Sequence, residues 1–339
     1  MKVLVTGSAG FINGYLVQEL LNAGHGVVGV DNFSKYGLVR KSYDDHPRYT
    51  FVPGDARNVG LLKELIADCD QLVASAARIG GISYFHQYAY DLLADNERIT
   101  AAHFDAALWA FRERKLQKIN VISSSMVYEN ATVFPTPEGH LRQCPPPSST
   151  YGFQKLACEY LARGAHEQYG LPFTIVRPFN CVGIGERRAV GGRALPSGNV
   201  SLALSHVVPD LVQKILRGQD PLHILGDGRQ VRHYTYGGDL ARGIRLCMEH
   251  PAALNEDFNL SAPEPTSVLE LAQLIWRRVR GAAPFRYVSD EPYKYDVRHR
   301  SPDVSKARER LGFATTTTLD AMLDEVIPWI RDAIDEGTI

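Results

Sequence analysis

The opening of the chain leaves it few folds to choose from. KVLVT (residues 2–6) is an unbroken β-branched and aliphatic run, as expected of a strand buried on both faces. GSAGFINGYLVQELLNAG then turns on glycine and becomes a helix, and VVGVD (27–31) is a second strand. Strand, glycine turn, helix, strand is the first unit of a parallel α/β sheet. The alternation continues with strands at TFVPGD and QLVASAA around a helix at LLKELIADC. A long helix over about 86–115 and strands at KINVISSS and PFTIVRPFN follow. The expected fold class is α/β, a Rossmann-type doubly wound parallel sheet. Beyond residue 180 the pattern becomes irregular. The Gly- and Arg-rich stretch 181–205 reads as a long functional loop. Helices are expected at VVPDLVQKILRG, SVLELAQLIWRRVRG and TTLDAMLDEVIPWIRDAIDE.

At 339 residues the chain suits one large unit or two domains. The formal charge of −1, with both signs interspersed, gives no support for nucleic-acid binding or a membrane-surface role. No apolar run approaches a membrane-spanning length, and the start MKVLVTGSAG is a strand rather than a signal peptide. The five cysteines are scattered without CxxC spacing, so neither a metal site nor a disulfide framework is expected. A reducing cytoplasm is the expected compartment.

Chemistry first shows at Tyr151-Gly-Phe-Gln-Lys155, which opens a helical segment behind the rigid loop CPPPSS. Four residues apart, Tyr151 and Lys155 share one helix face. A phenol ordinarily titrates near pH ~10, and a nearby ammonium and a cationic nicotinamide ring both favour the phenolate. Bringing a phenol to roughly 7 takes about 4 kcal/mol of differential stabilisation. One lysine and a cationic cofactor in a poorly solvated pocket can supply that. A surface Tyr and Lys on an amphipathic helix would show the same spacing.

Gly7-Ser-Ala-Gly10-Phe11-Ile12-Asn13 lies where a dinucleotide-binding turn belongs. The first glycine permits the tight turn, the second lets the backbone approach a diphosphate, and the helix N-terminus attracts its charge. The place of a third glycine is taken by Asn13, with Gly14 beside it. Asp31, ending the second strand, can accept both adenosine ribose hydroxyls and repels a 2′-phosphate, so NAD is expected rather than NADP. Asp55 ends the third strand, where it can meet the adenine amino group or cap the next helix.

Taken in order, TGSAGFI, VDNFS, GDARN, ASAA, Asn96, SSSMVY, YGFQK, RPFN, GDGRQVRHYTY and DVRHRSPDVSKARERLGF carry a resemblance that runs nearly end to end. The chain resembles the extended short-chain dehydrogenase/reductase family, the nucleotide-sugar epimerases and dehydratases. The resemblance implies Tyr151 as catalytic base, Lys155 as its modulator and nicotinamide-ribose ligand, and Ser124 as the hydroxyl bridging sugar and tyrosine. Gly7, Gly10, Phe11, Ile12, Asp31, Asn32, Asp55, Ala56, Ala76 and Asn96 match cofactor positions. Asn180, Arg232 and Arg298 match residues that hold the nucleotide diphosphate, in keeping with bidentate guanidinium–phosphate pairing. It further implies an NAD-binding domain from 1–180 plus about 231–262. A smaller nucleotide-sugar-binding domain would come from 181–230 plus 263–339. A homodimer is expected through the helices carrying FDAALWAFRERK and ACEYLARGAHEQY.

Family members share an opening oxidation of a sugar carbinol, usually C4, and diverge through the residues after Ser124. Here these are Ser125 and Met126, neither able to carry a proton at neutral pH. The acidic pair of the 4,6-dehydratases and the glutamate of the decarboxylating members are therefore missing. The segment AARIGGISYF is similar to that of members that epimerise C3 and C5. Those members carry a cysteine in place of Met126 and a lysine whose nearest match is His206. The expected reaction is 4-epimerisation of a UDP-hexose or UDP-hexuronate. Arg78 and the loop arginines Arg187, Arg188 and Arg193 could meet a hexuronate carboxylate or cover the nucleotide. The alternatives are a GDP-sugar 3,5-epimerase using His206, a nucleotide-sugar reductase and a non-catalytic NAD-binding regulator.

Overall fold

The structure, a computed structural model, describes residues 1–79, 88–186, 206–292 and 297–338. Its first strands are β1 (Lys2–Thr6), β2 (Gly26–Asp31), β3 (Tyr49–Pro53), β4 (Gln71–Ala74), β5 (Lys118–Ile122) and β6 (Phe173–Pro178). Short ones follow: β7 (Cys181–Val182), β8 (Leu222–Leu225), β9 (Val231–Arg232) and β10 (Thr235–Tyr236). The last are β11 (Glu256–Leu260), β12 (Thr266–Ser267) and β13 (Tyr287–Asp290). Between them run α1 (Phe11–Asn22), α2 (Val59–Ile66), α3 (Ala89–Glu113), α4 (Thr150–Tyr169) and α5 (Val207–Leu216). The remaining helices are α6 (Gly237–Glu249), α7 (Val268–Arg280), α8 (Ser305–Leu311) and α9 (Leu319–Asp335).

Seven strands form one parallel sheet in the order β11-β6-β5-β4-β1-β2-β3. Its direction of growth reverses between β1 and β4, which places a ligand crevice at the carboxyl ends of those two strands. Apolar side chains cover both faces. Leu16 and Leu20 of α1 pack with Ile244 of α6 and Phe258 of β11 on one face. On the other, Leu62 and Ile66 of α2, Phe104 and Ala107 of α3 and Cys158 of α4 pack against Ile119 and Ile175. A further core joins Leu211 and Ile215 of α5, Leu271, Ile275 and Trp276 of α7, and Leu323, Ile327 and Ile330 of α9.

Local chemistry sets the helix ends. The Asn58 side chain caps α2 by accepting from Leu61 N–H at 3.1 Å. Ser149 caps α4 by accepting from Gly152 N–H at 3.0 Å, and α4 stops at Gly170, whose φ of 74° favours glycine. Ser267 and Glu270 form a reciprocal capping box on α7. Asn58 rather than Asp55 is thus the cap of α2. α3 begins at Ala89 where the pattern suggests about 86. α6 is a helix the sequence analysis does not place, although Leu240, Ile244 and Cys247 recur at helical spacing, and β11 forms one edge of the sheet. Among the described residues no helix is long and apolar enough to cross a membrane.

Candidate active site

A cleft of about 670 Å³ opens along the carboxyl ends of the sheet strands. At one end lies the glycine turn. Gly7 has φ of 71°, donates its N–H to Val30 O at 2.8 Å and accepts from Gly10 N–H at 3.0 Å. A Cβ on Gly7 would stand 3.0 Å from the Ala76 backbone, so a side chain there would need positive φ and displaced main chain. Gly10 caps α1 without any side-chain hydrogen bond, which leaves the first-turn N–H groups of Phe11 and Ile12 for an anion. Asp31, at the tip of β2, accepts from Ala9 N–H at 3.1 Å and Phe33 N–H at 2.7 Å. Burial pushes its carboxyl up from the usual range, against these bonds and the charge of Lys41. Asn32 accepts from Ser34 N–H at 3.0 Å. Asp55 accepts from both the backbone and the guanidinium of Arg57, the latter at 2.6 Å, and this pairing holds its carboxyl below the ordinary value. Ala56 and Ala76 line the same stretch, and Ala76 N–H donates to Thr6 Oγ1 at 3.0 Å. Side-chain-free floor, open helix terminus and strand-end carboxylate together fit a dinucleotide such as NAD.

Midway along the cleft sit Ser124, Tyr151 and Lys155, each under a tenth exposed and all lining it. Ser124 follows β5 and caps the single 3-10 turn Ser125–Tyr128, its Oγ accepting from Met126 N–H at 3.1 Å. Tyr151 stands in the first turn of α4, packed with Met126, Tyr88, Leu92 and Val297. Lys155 lies one turn on, and its Nζ donates to Ile122 O at 2.8 Å. Behind them is a buried ion cluster. Arg177 of β6 meets Glu159 of α4 through two hydrogen bonds of 2.8 and 2.7 Å, and Glu159 also accepts from Ser123 Oγ at 2.6 Å. The helix that carries Tyr151 and Lys155 is thereby tied to the strand tip that leads into Ser124.

Glu129, absent from the sequence reading, also lines the cleft. Its Oε2 accepts from Ser149 N–H and Oγ–H, both at 2.9 Å, so it holds the cap of the helix that carries Tyr151. A glutamate just past SSSMVY carries no periodic signal that could have marked it.

The far end of the cleft is polar. Asn180, at φ of 30°, donates to His233 O at 3.3 Å. His206 caps α5, lines the cleft and pairs through Nδ1 with the buried Glu186. Arg232 also lines the cleft. Arg298 departs from expectation: its side chain is 70% exposed, pairs with Asp227 at 3.3 Å and is not among the lining residues. Arg300, two residues on, lines the cleft instead. Asn96 lies beneath the wall rather than in it, accepting from Arg78 N–H at 2.6 Å and donating to Arg78 O at 3.0 Å. Arg78 lines the cleft, but its guanidinium pairs with Asp95 at 3.0 Å. Arg187, Arg188 and Arg193 lie outside the described residues.

A model of the NAD dependent epimerase/dehydratase family matches residues 3–261. An uncharacterized UDP-glucose epimerase of Bacillus subtilis (strain 168) is 29% identical over 339 residues, which covers 96% of this chain and 97% of that protein. A UDP-N-acetyl-α-D-glucosaminuronate decarboxylase of Bacillus cytotoxicus is 29% identical over 338 residues, 98% of each chain. The UDP-glucuronic acid 4-epimerase of Bacillus cereus, solved with UDP-glucuronic acid and NAD, matches at a TM-score of 0.81 and 26% identity. That match covers 98% of this chain and 99% of the solved one. With its parallel sheet, glycine turn and match over most of its length, the chain belongs to the NAD dependent epimerase/dehydratase family.

Proposed function

We propose that the protein is a nucleotide-sugar 4-epimerase acting on a UDP-hexose or UDP-hexuronate. The observation that carries this reading is the turn after Ser124. Ser125 and Met126 both line the cleft there, and Met126 packs in one apolar cluster with Tyr151. Neither side chain can move a proton, and Glu129 serves the cap of the Tyr151 helix through Oε2. A reaction that needs only the tyrosine suits such a site.

NAD, held by the Gly7–Asn13 turn and Asp31, would supply the hydride acceptor and donor at C4. Tyr151 removes the C4 hydroxyl proton as hydride leaves and gives it back on return, so no net oxidation results. Ser124 holds the sugar oxygen beside the tyrosine, and Lys155, one helical turn on, is read as the nicotinamide-ribose ligand. Between the two transfers the 4-keto sugar turns its other face to the cofactor. Asn180, Arg232 and Arg300 are read as holding the diphosphate at the polar end. The chain is read as a homodimer through α3 and α4, where Tyr160 stays 71% exposed.

A second reading draws on His206, which lines the same cleft with Glu186 behind it and could carry protons in a 3,5-epimerase. The test is incubation with UDP-glucose, UDP-glucuronate, UDP-N-acetylglucosamine and GDP-mannose in D2O, followed by proton NMR. Interconversion at C4 without deuterium uptake supports the 4-epimerase. Deuterium at C3 or C5 moves the reaction to the second reading. Loss of the uronate carboxyl makes the protein a decarboxylase.

A further inference from the structure

Asn13 stands where the dinucleotide turn ordinarily has its third glycine, and the structure gives it more than a space to occupy. Only 6% exposed, it sits in the first turn of α1 and lines the cleft. Its Nδ2 donates to Gly7 O and Ser75 Oγ, both at 2.7 Å, and lies 3.1 Å from Thr6 O. Two of these acceptors are main-chain carbonyls, which only the NH2 end of the amide can face. The side-chain orientation is therefore fixed, and it leaves Oδ1 buried with no hydrogen-bond partner among the described residues. A buried amide oxygen without a donor is costly in a protein that has only itself to satisfy it.

The same residue stiffens the turn. The Gly7 carbonyl receives both Gly10 N–H and Asn13 Nδ2, while Gly7 N–H is held by Val30 O. The turn between β1 and α1 is thus locked from both sides and stapled to Ser75 beyond the end of β4.

We propose that Asn13 is a cofactor-holding residue. Its NH2 group locks the Gly7 turn in its binding form, and its Oδ1 accepts a hydrogen bond from an O–H donor along the diphosphate–ribose stretch of NAD. A diphosphate oxygen can only accept, so the donor is either a hydroxyl of the nicotinamide ribose or a water bridging Oδ1 to the diphosphate. This rests on NAD as cofactor and not on the sugar reaction. Tight retention suits a cycle in which the hydride must return before the cofactor leaves.

The test is nucleotide binding and release, read without turnover. Protein stripped of nucleotide is titrated with NAD, ADP and AMP by calorimetry, and NADH release is timed by fluorescence. Wild type is compared with Asn13→Ala, Asn13→Gly and Ser75→Ala. Asn13→Gly restores the residue this turn ordinarily carries and so keeps a foldable variant in the set. Both Asn13 variants are expected to bind NAD about 10- to 100-fold more weakly, mostly through faster release. AMP, which lacks the diphosphate, should bind as to wild type, and Ser75→Ala should lose only a few-fold. Weakened ADP binding assigns the donor to a bridging water. Unchanged ADP binding assigns it to a ribose hydroxyl that ADP does not carry. Asn13→Gly with wild-type NAD affinity and release overturns the proposal, as does an AMP loss equal to that for NAD.

Discussion

Lys155 donates from Nζ to the main-chain carbonyl of Ile122 at 2.8 Å, which pins the lysine of α4 to the last residue of β5, two positions before Ser124. The ammonium therefore arrives on a main-chain anchor and does not depend on a flexible partner. Lys155→Met should lower kcat by about 10²–10⁴, and Tyr151→Phe should do so at least as strongly, with overall stability little changed. Single-turnover C4 oxidation, followed as NADH absorbance, checks both. Full turnover by the phenylalanine variant would falsify the assigned base.

His103 of α3 gives the fold an acid limit. It is 3% exposed, its Nε2 is buried without a partner among the described residues, and burial, helped by the charge of Lys155, pulls its pKa down to about 3. An unfolded histidine takes up its proton below about 6.5. Between those values the unfolded state holds more protons, so stability falls as pH drops through the window. One such group accounts for about 2 kcal/mol at pH 5. His103→Leu should flatten the loss of urea stability between pH 7 and pH 5 by roughly that amount; equal slopes for the two proteins count against it.

Arg177 is fully buried between Glu159 and Asp257, the latter at 2.6 Å. Burial opposes ionisation of Asp257, but Arg177, Lys306 and Arg163 outweigh it and hold the carboxyl well below its usual range. Removing the guanidinium alone leaves the buried Glu159 carboxylate without its cation and takes one of three cationic partners from Asp257, so Arg177→Met should cost about 3–5 kcal/mol. The double variant Arg177→Met/Glu159→Gln should lose less than the two single losses added together. Denaturant titrations of the three variants read this coupling directly, and simple additivity would argue against a shared network.

Asp31 meets two backbone N–H groups at the tip of β2, with its carboxylate beside the cleft. Asp31→Ala should weaken NAD binding by about tenfold or more and narrow the gap to NADP, because the repulsion of a 2′-phosphate goes with the charge. Calorimetric titration with both dinucleotides gives the ratio. An unchanged NAD-to-NADP preference would place the discriminating charge elsewhere.

Local order made part of this protein readable in its residues. The β1–turn–α1–β2 unit shows as a buried run, a glycine turn and a helix, all within 31 positions. Tyr151 and Lys155 come together because four residues is about one helical turn, and Ser149 marks the start of that helix. These relationships lie within single elements, where backbone geometry alone sets which side chains are neighbours.

Other relationships had no local sign. β11 reaches the sheet only by pairing with β6. Arg177 looks out of place in an apolar strand until Glu159 and Asp257 are beside it. Glu129 gains its role from Ser149, 20 residues away. Arg300 lines the cleft while Arg298 turns to Asp227. Asn13, in the place of a third glycine, staples the turn to Ser75, which arrives just past β4, 62 positions on. The sequence by itself determined the parallel α/β architecture, the dinucleotide turn and the tyrosine–lysine pair, since short-range sterics and periodicity impose them. Tertiary structure alone decided which buried polar groups meet, because such groups must find partners wherever packing brings the chain together.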